Sequence, residues 1–322
     1  MTGTLMKFSM SVLLLFTMAP LLCAQGYPQG AITIILTAGP GDGSDIAMRM
    51  MAEDLRKSLK VPVLLVNKPG AGGVLATDSV VRANKDGYTL LFTNNAPLTF
   101  RPVVEPDTTR YDPLKDLVPL GMVSRTPFLL AVRSDVPYKD FGQMIAYAKK
   151  NPGVVRIATV GTGSVGDFTV DAINSLTGAG LTTVPYKGAT PAVGAVAGGH
   201  VEGTAITMSA LIGHLKSGAL RPLVISSKYP EFPDIPTLTE LGYSGNLIGV
   251  WTGFFAPAGI PAEAKNVLVP AFRAAIKNPA ITAKLLSAGL VENYNAPDEV
   301  LKEMRQEYQM VKDFAKRAAP VK

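Results

Sequence analysis

Two segments of the sequence share one arrangement, in which an apolar, β-branched run ends in a glycine-rich turn and a helical pattern follows. The first spans residues 31–59 and the second spans residues 154–177. Strand and helix patterns alternate in the same way through most of the 322-residue chain. This alternation predicts an α/β fold with parallel, doubly wound sheets, because a helix is the usual connection between parallel strands.

The strand–helix pattern restarts after the third strand, which indicates two α/β lobes rather than one. We expect one lobe to contain residues 25–124 and 232–322, and the other to contain residues 125–231. The chain would cross between them near 122–126 and 228–250. Three helical patterns follow the second crossing, as expected for a chain that returns to its first lobe.

Composition excludes several classes of protein. One cysteine and two histidines are too few for a disulfide framework or a zinc cage, so we expect no metal. A net charge of +6 is spread along the chain, which does not indicate a nucleic-acid surface. With 47% apolar and 17% charged residues, the chain can bury a sizeable core.

The first 24 residues have the pattern of a secretory signal peptide. Lys7 is the only charge, the apolar run Val12–Phe16 follows, and Ala24 supplies a small residue at the end. Such a signal would direct export, and cleavage after Ala24 would release the mature chain. Lipid attachment at Cys23 is the alternative, which the bulky residue before that cysteine disfavours.

The glycine-rich turns do not have the patterns of nucleotide-binding enzymes. Gly161, Gly163 and Gly166 match G-x-G-x-x-G, but the expected acidic residue is missing where VPYKG (184–188) stands. Ser44 takes the place of the third glycine in the first turn. Neither turn contains G-K-[ST], and the chain has no G-x-S-x-G, so we expect no nucleotide cofactor and no serine nucleophile.

A glycine-rich turn at a helix start is instead suited to binding a small anion, because glycines allow close approach and the first helical N–H groups are free. Two such turns facing one cleft predict a site for a carboxylate. The candidate residues are Ala38, Gly39, Gly41, Gly43, Ser44 and Asp45 in the first turn, and Gly161, Thr162, Gly163 and Ser164 in the second.

Three further candidates lie outside these turns. Asn94 and Asn95 end the third strand, where α/β sheets place their ligands, and they either bind a ligand oxygen or cap the turn. Trp251 is the only tryptophan, and it either packs beneath the cleft or contacts the ligand.

The chain resembles a known family over nearly its whole length. The motifs VNKPGAGG (66–73), VPYKG (184–188) and PDIPT (233–237) occur in the order found in the periplasmic receptors of tripartite tricarboxylate transporters, the TctC/Bug type. The resemblance implies a two-lobed, type II periplasmic-binding-protein-like α/β fold with its cleft between the lobes. It also implies a ligand carboxylate held by Thr37–Asp45 and Val160–Val165, largely through backbone N–H groups and water.

The same resemblance implies a non-enzymatic, monomeric receptor that needs no cofactor and passes its ligand transiently to transporter membrane subunits. A receptor that reports to a membrane signalling protein, or an exported enzyme acting on a small anion, are the alternatives. Three residues depart from the family pattern. Ala38 replaces a phenylalanine, Asp42 adds a charge, and Ile206, between Thr204 and Thr207, stands where many relatives have aspartate. We therefore expect a carboxylic acid without an amino group, either dicarboxylic or aromatic, with Thr204 and Thr207 among its contacts.

Overall fold

The computed structural model describes residues 26–40, 43–244, 247–287 and 289–318. The predicted signal peptide with Cys23, and Gly41 and Asp42 of the first turn, lie outside the described residues.

The strands follow the apolar runs of the sequence closely. They are β1 (Ile32–Leu36), β2 (Val63–Asn67), β3 (Thr89–Asn94), β4 (Leu117–Thr126), β5 (Phe128–Arg133), β6 (Arg156–Thr159), β7 (Thr182–Pro185), β8 (Gly203–Thr207), β9 (Leu220–Ile225), β10 (Val250–Pro257) and β11 (Val291–Glu292).

Helices occupy most of the remaining chain. They are α1 (Gly43–Leu59), α2 (Val74–Val81), α3 (Arg101–Val104), α4 (Phe141–Lys150), α5 (Val165–Thr177), α6 (Ala189–Ala197), α7 (Met208–Lys216), α8 (Ala262–Ile276), α9 (Pro279–Ser287) and α10 (Pro297–Ala318). A 3-10 turn, Ala71–Gly73, precedes α2, and a π-helical turn, Ala96–Phe100, joins β3 to α3.

The strands form two mixed sheets. The first has the order β11-β4-β10-β3-β1-β2, and the second has the order β7-β6-β8-β5-β9. Strand β1 is parallel to β2 and β3, and β6 is parallel to β7 and β8, as the strand–helix alternation predicts. Strands β10 and β5 differ from the predicted parallel arrangement, because they pair antiparallel with their neighbours. Each of these strands enters its sheet directly from the other sheet, without a helical connection.

The chain passes between the sheets at two places. Pro127 alone separates β4 from β5, and the return runs from the end of β9 at Ile225 to the start of β10 at Val250. The lobe boundaries at 124/125 and 231/232 stay a prediction.

Each sheet has its own apolar core. In the first, Phe254 of β10 stacks on Phe272 of α8 with ring centroids 4.0 Å apart. In the second, the core of β5 and α5 also contains Phe100 and Val311. Phe100 meets Phe168 of α5 edge-on at 5.4 Å. The turn after β3 and the end of α10 therefore pack into the second core.

Candidate ligand-binding site

The turn between β6 and α5 leaves backbone donors unused. Gly161 has φ 136° and Gly163 has φ 67°, conformations that favour glycine. Ser164 is the N-cap of α5, and its hydroxyl accepts from the Asp167 N–H at 3.3 Å. The N–H groups of Gly161 and Thr162 donate to no acceptor among the described residues. Together with the start of α5, they form a cradle that suits an anion.

The carboxylate of Asp167 stabilises this turn from within. Its Oδ2 accepts from the Gly163 N–H at 3.0 Å, and its Oδ1 accepts from the Thr159 hydroxyl at 3.1 Å. Both carboxylate oxygens of Asp167 therefore accept hydrogen bonds from the protein itself.

The first turn is held by another acid, and this one is buried. Asp45 of α1 is 2% exposed, and its carboxylate accepts from Arg49 Nε and from Asn67 Nδ2, both at 2.9 Å. The same Asn67 amide donates to the Ala38 carbonyl at 3.0 Å. Asn67 thus joins the end of β2 to both sides of the first turn. The sequence carries no local signal for this role, because 29 residues separate Ala38 from Asn67.

The other first-turn candidates lie at the edges of the described chain. Gly39 follows β1 closely, and Gly43 and Ser44 begin α1. Gly41 is outside the described residues, so its part in the site stays a prediction.

The two asparagines after β3 have different surroundings. The Asn94 Oδ1 accepts from the Ala96 N–H at 3.0 Å, while its Nδ2 has no hydrogen-bond partner in the described chain. Asn95 is fully buried, and its Nδ2 donates to Glu307 Oε1 at 2.9 Å and to the Gly249 carbonyl at 3.1 Å. Asn94 therefore keeps a donor for a ligand, and Asn95 has no exposed surface with which to contact one.

Two of the other candidates are buried, and the third is half-buried and bonded to a neighbouring side chain. Trp251 is 1% exposed and packs in the core, so its packing role is the one that the structure shows. Thr204 is fully buried, and its hydroxyl donates to the Ala158 carbonyl at 2.9 Å. Thr207 is half-buried at the start of α7, where its hydroxyl accepts from Ser209 Oγ at 3.1 Å. Ile206 is 2% exposed within an apolar cluster.

A buried carboxyl joins several of these elements. Glu307 of α10 accepts from Trp251 Nε1 and Asn95 Nδ2, each at 2.9 Å, and contacts the Thr99 hydroxyl. Burial raises the pKa of Glu307, and the neighbouring Glu303 adds to the increase. Sequence reasoning missed this residue, because its partners lie 56 or more positions away.

The short helix α3 lies between the turns of the two lobes. A Cβ placed on Gly72, in the turn before α2, would lie 2.5 Å from Arg101 Nε. A Cβ placed on Gly163 would lie 3.1 Å from Val104 and 3.3 Å from Glu105 Oε1. Arg101 and Glu105 form an ion pair with each other. This pair therefore runs from the turn before α2 to the turn before α5.

The turn before α2 is itself next to the first glycine-rich turn. A Cβ on Gly73 would meet the Thr37 side chain at 3.1 Å. The contacts thus form a continuous path from Thr37, at the end of β1, through Arg101 and Glu105 to Gly163. Within the described ranges, no group of three or more His, Cys, Asp or Glu side chains could hold a metal ion.

Comparison with known proteins identifies the type of protein. The model of the TctC family, described as the tripartite tricarboxylate transporter family receptor, matches residues 47–321. The chain belongs to this family. It is 33% identical to protein BugT of Bordetella pertussis over 86% of this chain and 85% of BugT.

Several solved structures have the same fold. MatC of Rhodopseudomonas palustris, solved with bound malate, is 28% identical with a TM-score of 0.78, covering 89% of this chain and 99% of that one. Rpa4515 of R. palustris, solved with adipate, is 26% identical with a TM-score of 0.80, covering 90% and 97%. The fold is therefore that of a periplasmic binding protein, as the sequence motifs predict. Among the described helices, none combines the length and apolarity needed to cross a bilayer.

Proposed function

We propose that this TctC-family receptor binds a small organic carboxylate between its two glycine-rich turns. The observation that carries the proposal is the pair of unused N–H groups on Gly161 and Thr162 at the start of α5. Charge-assisted bonds to such donors are the usual way in which a helix start holds an anion. The carboxylates malate and adipate, bound in two related structures, support the same class of ligand.

The acids around the cleft favour a ligand without an amino group. An ammonium group needs a carboxylate partner, but Asp45 is bonded to Arg49 and Asn67, and Asp167 to Thr159 and Gly163. Glu105 is paired with Arg101. The described acids of the site therefore already have partners in the protein. This supports the preference inferred from Ile206, although Ile206 itself lies in the core.

Membership of the family supports a role in transport. After export and removal of residues 1–24, the receptor would work in the periplasm as a monomer. Closure of the lobes would enclose the ligand. The closed form would then deliver the ligand to the membrane subunits of a tripartite transporter, in a transient complex.

Calorimetry with matched ligands tests the ligand class. Succinate and aspartate differ by one amino group, and so do adipate and 2-aminoadipate. We expect each acid to bind at least about tenfold more tightly than its amino counterpart, because the described acids of the site are already paired and would not replace the water lost by the ammonium group. Binding of the amino compounds alone would overturn the proposal.

A proline substitution tests the cradle directly. Thr162→Pro removes one of the two unused N–H groups, whereas Thr162→Ala retains it and serves as the control. A lost bond to a charged acceptor is worth about 1.5–3 kcal/mol, so Thr162→Pro should weaken binding by roughly tenfold or more. Thermal melting would verify that both variants fold. Equal affinity of the two variants would show that the backbone donor does not contact the ligand.

A further inference from the structure

Arg101 is a largely buried cation that uses only part of its hydrogen-bonding capacity. Its side chain is 17% exposed, and its Nη1 pairs with Glu105 one turn later. Its Nε and Nη2 donate to no acceptor in the part of the chain that the structure describes. A guanidinium has five donors in a rigid fork that matches a carboxylate. The Nε and Nη2 donors of Arg101 are therefore available to an acceptor from outside the protein.

The position of Arg101 relates it to the proposed carboxylate site. Its Nε lies beside Gly72, and the turn that contains Gly72 and Gly73 touches Thr37 at the start of the first glycine-rich turn. Its partner Glu105 lies beside Gly163, next to the unused N–H groups of the second turn. The ion pair therefore lies between the two turns that would hold the ligand.

The charge of the Arg101–Glu105 pair affects monocarboxylates and dicarboxylates differently. Near the second turn, the Glu105 carboxylate would repel an incoming anion if Arg101 did not neutralise it. A monocarboxylate bound to the backbone N–H groups leaves this neutral pair intact. A dicarboxylate brings a second negative group, which can share or replace Glu105 as the partner of Arg101. Only a dicarboxylate can gain affinity from Arg101, because this contact requires a second carboxylate at a distance from the first.

We propose that Arg101 binds the second carboxylate of a dicarboxylate ligand, with Glu105 as its counter-ion in the ligand-free receptor. This inference rests on the proposed function, since it assigns the second half of the same site. Arg101 is then the residue that selects dicarboxylates over monocarboxylates. Glu105 is a positioning residue that acts through Arg101.

The main variant removes both charges and keeps the net charge of the pair at zero. In Arg101→Gln/Glu105→Gln, no unpaired acid is left to repel the ligand. Calorimetry would compare succinate with butyrate and adipate with hexanoate, pairs of equal chain length that differ by one carboxylate. We expect the double variant to lose at least about tenfold in affinity for the diacids and to bind the monoacids within about threefold of wild type.

The single variant Glu105→Gln frees the guanidinium, and we expect it to bind the diacids more tightly than wild type. The control is Arg82→Gln, since Arg82 makes the same i,i+4 pair with Asp78 on the surface of α2. It should leave all affinities unchanged. Thermal melting without ligand would show that each variant folds.

The results that contradict these expectations separate the role of Arg101 from the proposed function. Equal losses of affinity for diacids and monoacids would show that the Arg101–Glu105 pair only holds the lobes together. That result would overturn the assignment of Arg101 to the second carboxylate. Unchanged diacid affinity in the double variant overturns it as well. Failure of the wild-type receptor to bind any of the four acids would instead overturn the proposed function, independently of Arg101.

Discussion

The buried Glu307 predicts an unusual dependence of stability on pH. The Thr99 hydroxyl has one proton but two neighbouring oxygens, the Asn95 carbonyl at 3.0 Å and the Glu307 carboxyl. A proton on Glu307 satisfies both contacts, since Glu307 then donates to Thr99, and Thr99 donates to Asn95. This arrangement agrees with the raised pKa of the Glu307 carboxyl, whose main cause is burial. Glu307 is 7% exposed.

The direction of the effect follows from proton linkage. Above the unfolded-chain pKa of about 4.3, the unfolded chain has released this proton while the folded protein retains it. The free energy of unfolding therefore falls as the pH rises from there to the folded pKa, by up to about 1.4 kcal/mol per pH unit. The stabilisation that this proton contributes is fully present only below the unfolded-chain pKa.

The perturbation is Glu307→Gln, which stays neutral at every pH and so removes this slope. Near pH 5 the variant should be less stable by roughly 1–3 kcal/mol, because its amide NH2 must face either the Asn95 Nδ2 or the Trp251 Nε1, and both of these are donors. As the pH rises from 5 to 8 that difference should shrink, because only wild type has this carboxyl to titrate.

The assay is urea unfolding at several pH values, followed by the fluorescence of Trp251, the only tryptophan in the chain. The control is Glu53→Gln, an exposed acid on α1, which should shift stability little. A difference between wild type and Glu307→Gln that stays constant or grows with pH would mean that Glu307 is ionised in the folded protein. The proton assignment would then be wrong.

Three further substitutions test two glycine positions and the buried acid of the first turn. Gly166→Ala should lower the free energy of unfolding by about 1–3 kcal/mol, because its Cβ would lie 2.6 Å from the Ala205 carbonyl. Gly194→Ala in α6 should raise the free energy of unfolding by up to about 1 kcal/mol, because no atom lies within 4 Å of the added Cβ. Urea unfolding midpoints equal to that of wild type would refute both predictions. Asp45→Ala should cost about 1–3 kcal/mol and weaken carboxylate binding, since it removes the α1 carboxylate that accepts from the Asn67 Nδ2. Unchanged affinity in calorimetry would show that Asp45 does not position the first turn.

The sequence predicted what is encoded by neighbouring residues. The strand of residues 154–160, its glycine turn and the helix that follows all appear in the structure, because the apolar run, the glycines and the Ser164 cap are adjacent along the chain. The motifs likewise identified the family and the two-lobed fold.

The sequence by itself thus determined the α/β elements, the two glycine-rich helix starts and the family. Tertiary structure alone decided the antiparallel direction of β5 and β10, which depends on where the chain crosses between sheets. It also decided that Trp251 and Asn95 are buried against Glu307, which lies 212 residues beyond Asn95. The placement of Arg101 between the two turns was decided in the same way. Such contacts depend on packing between distant segments, and no local pattern of residues encodes them.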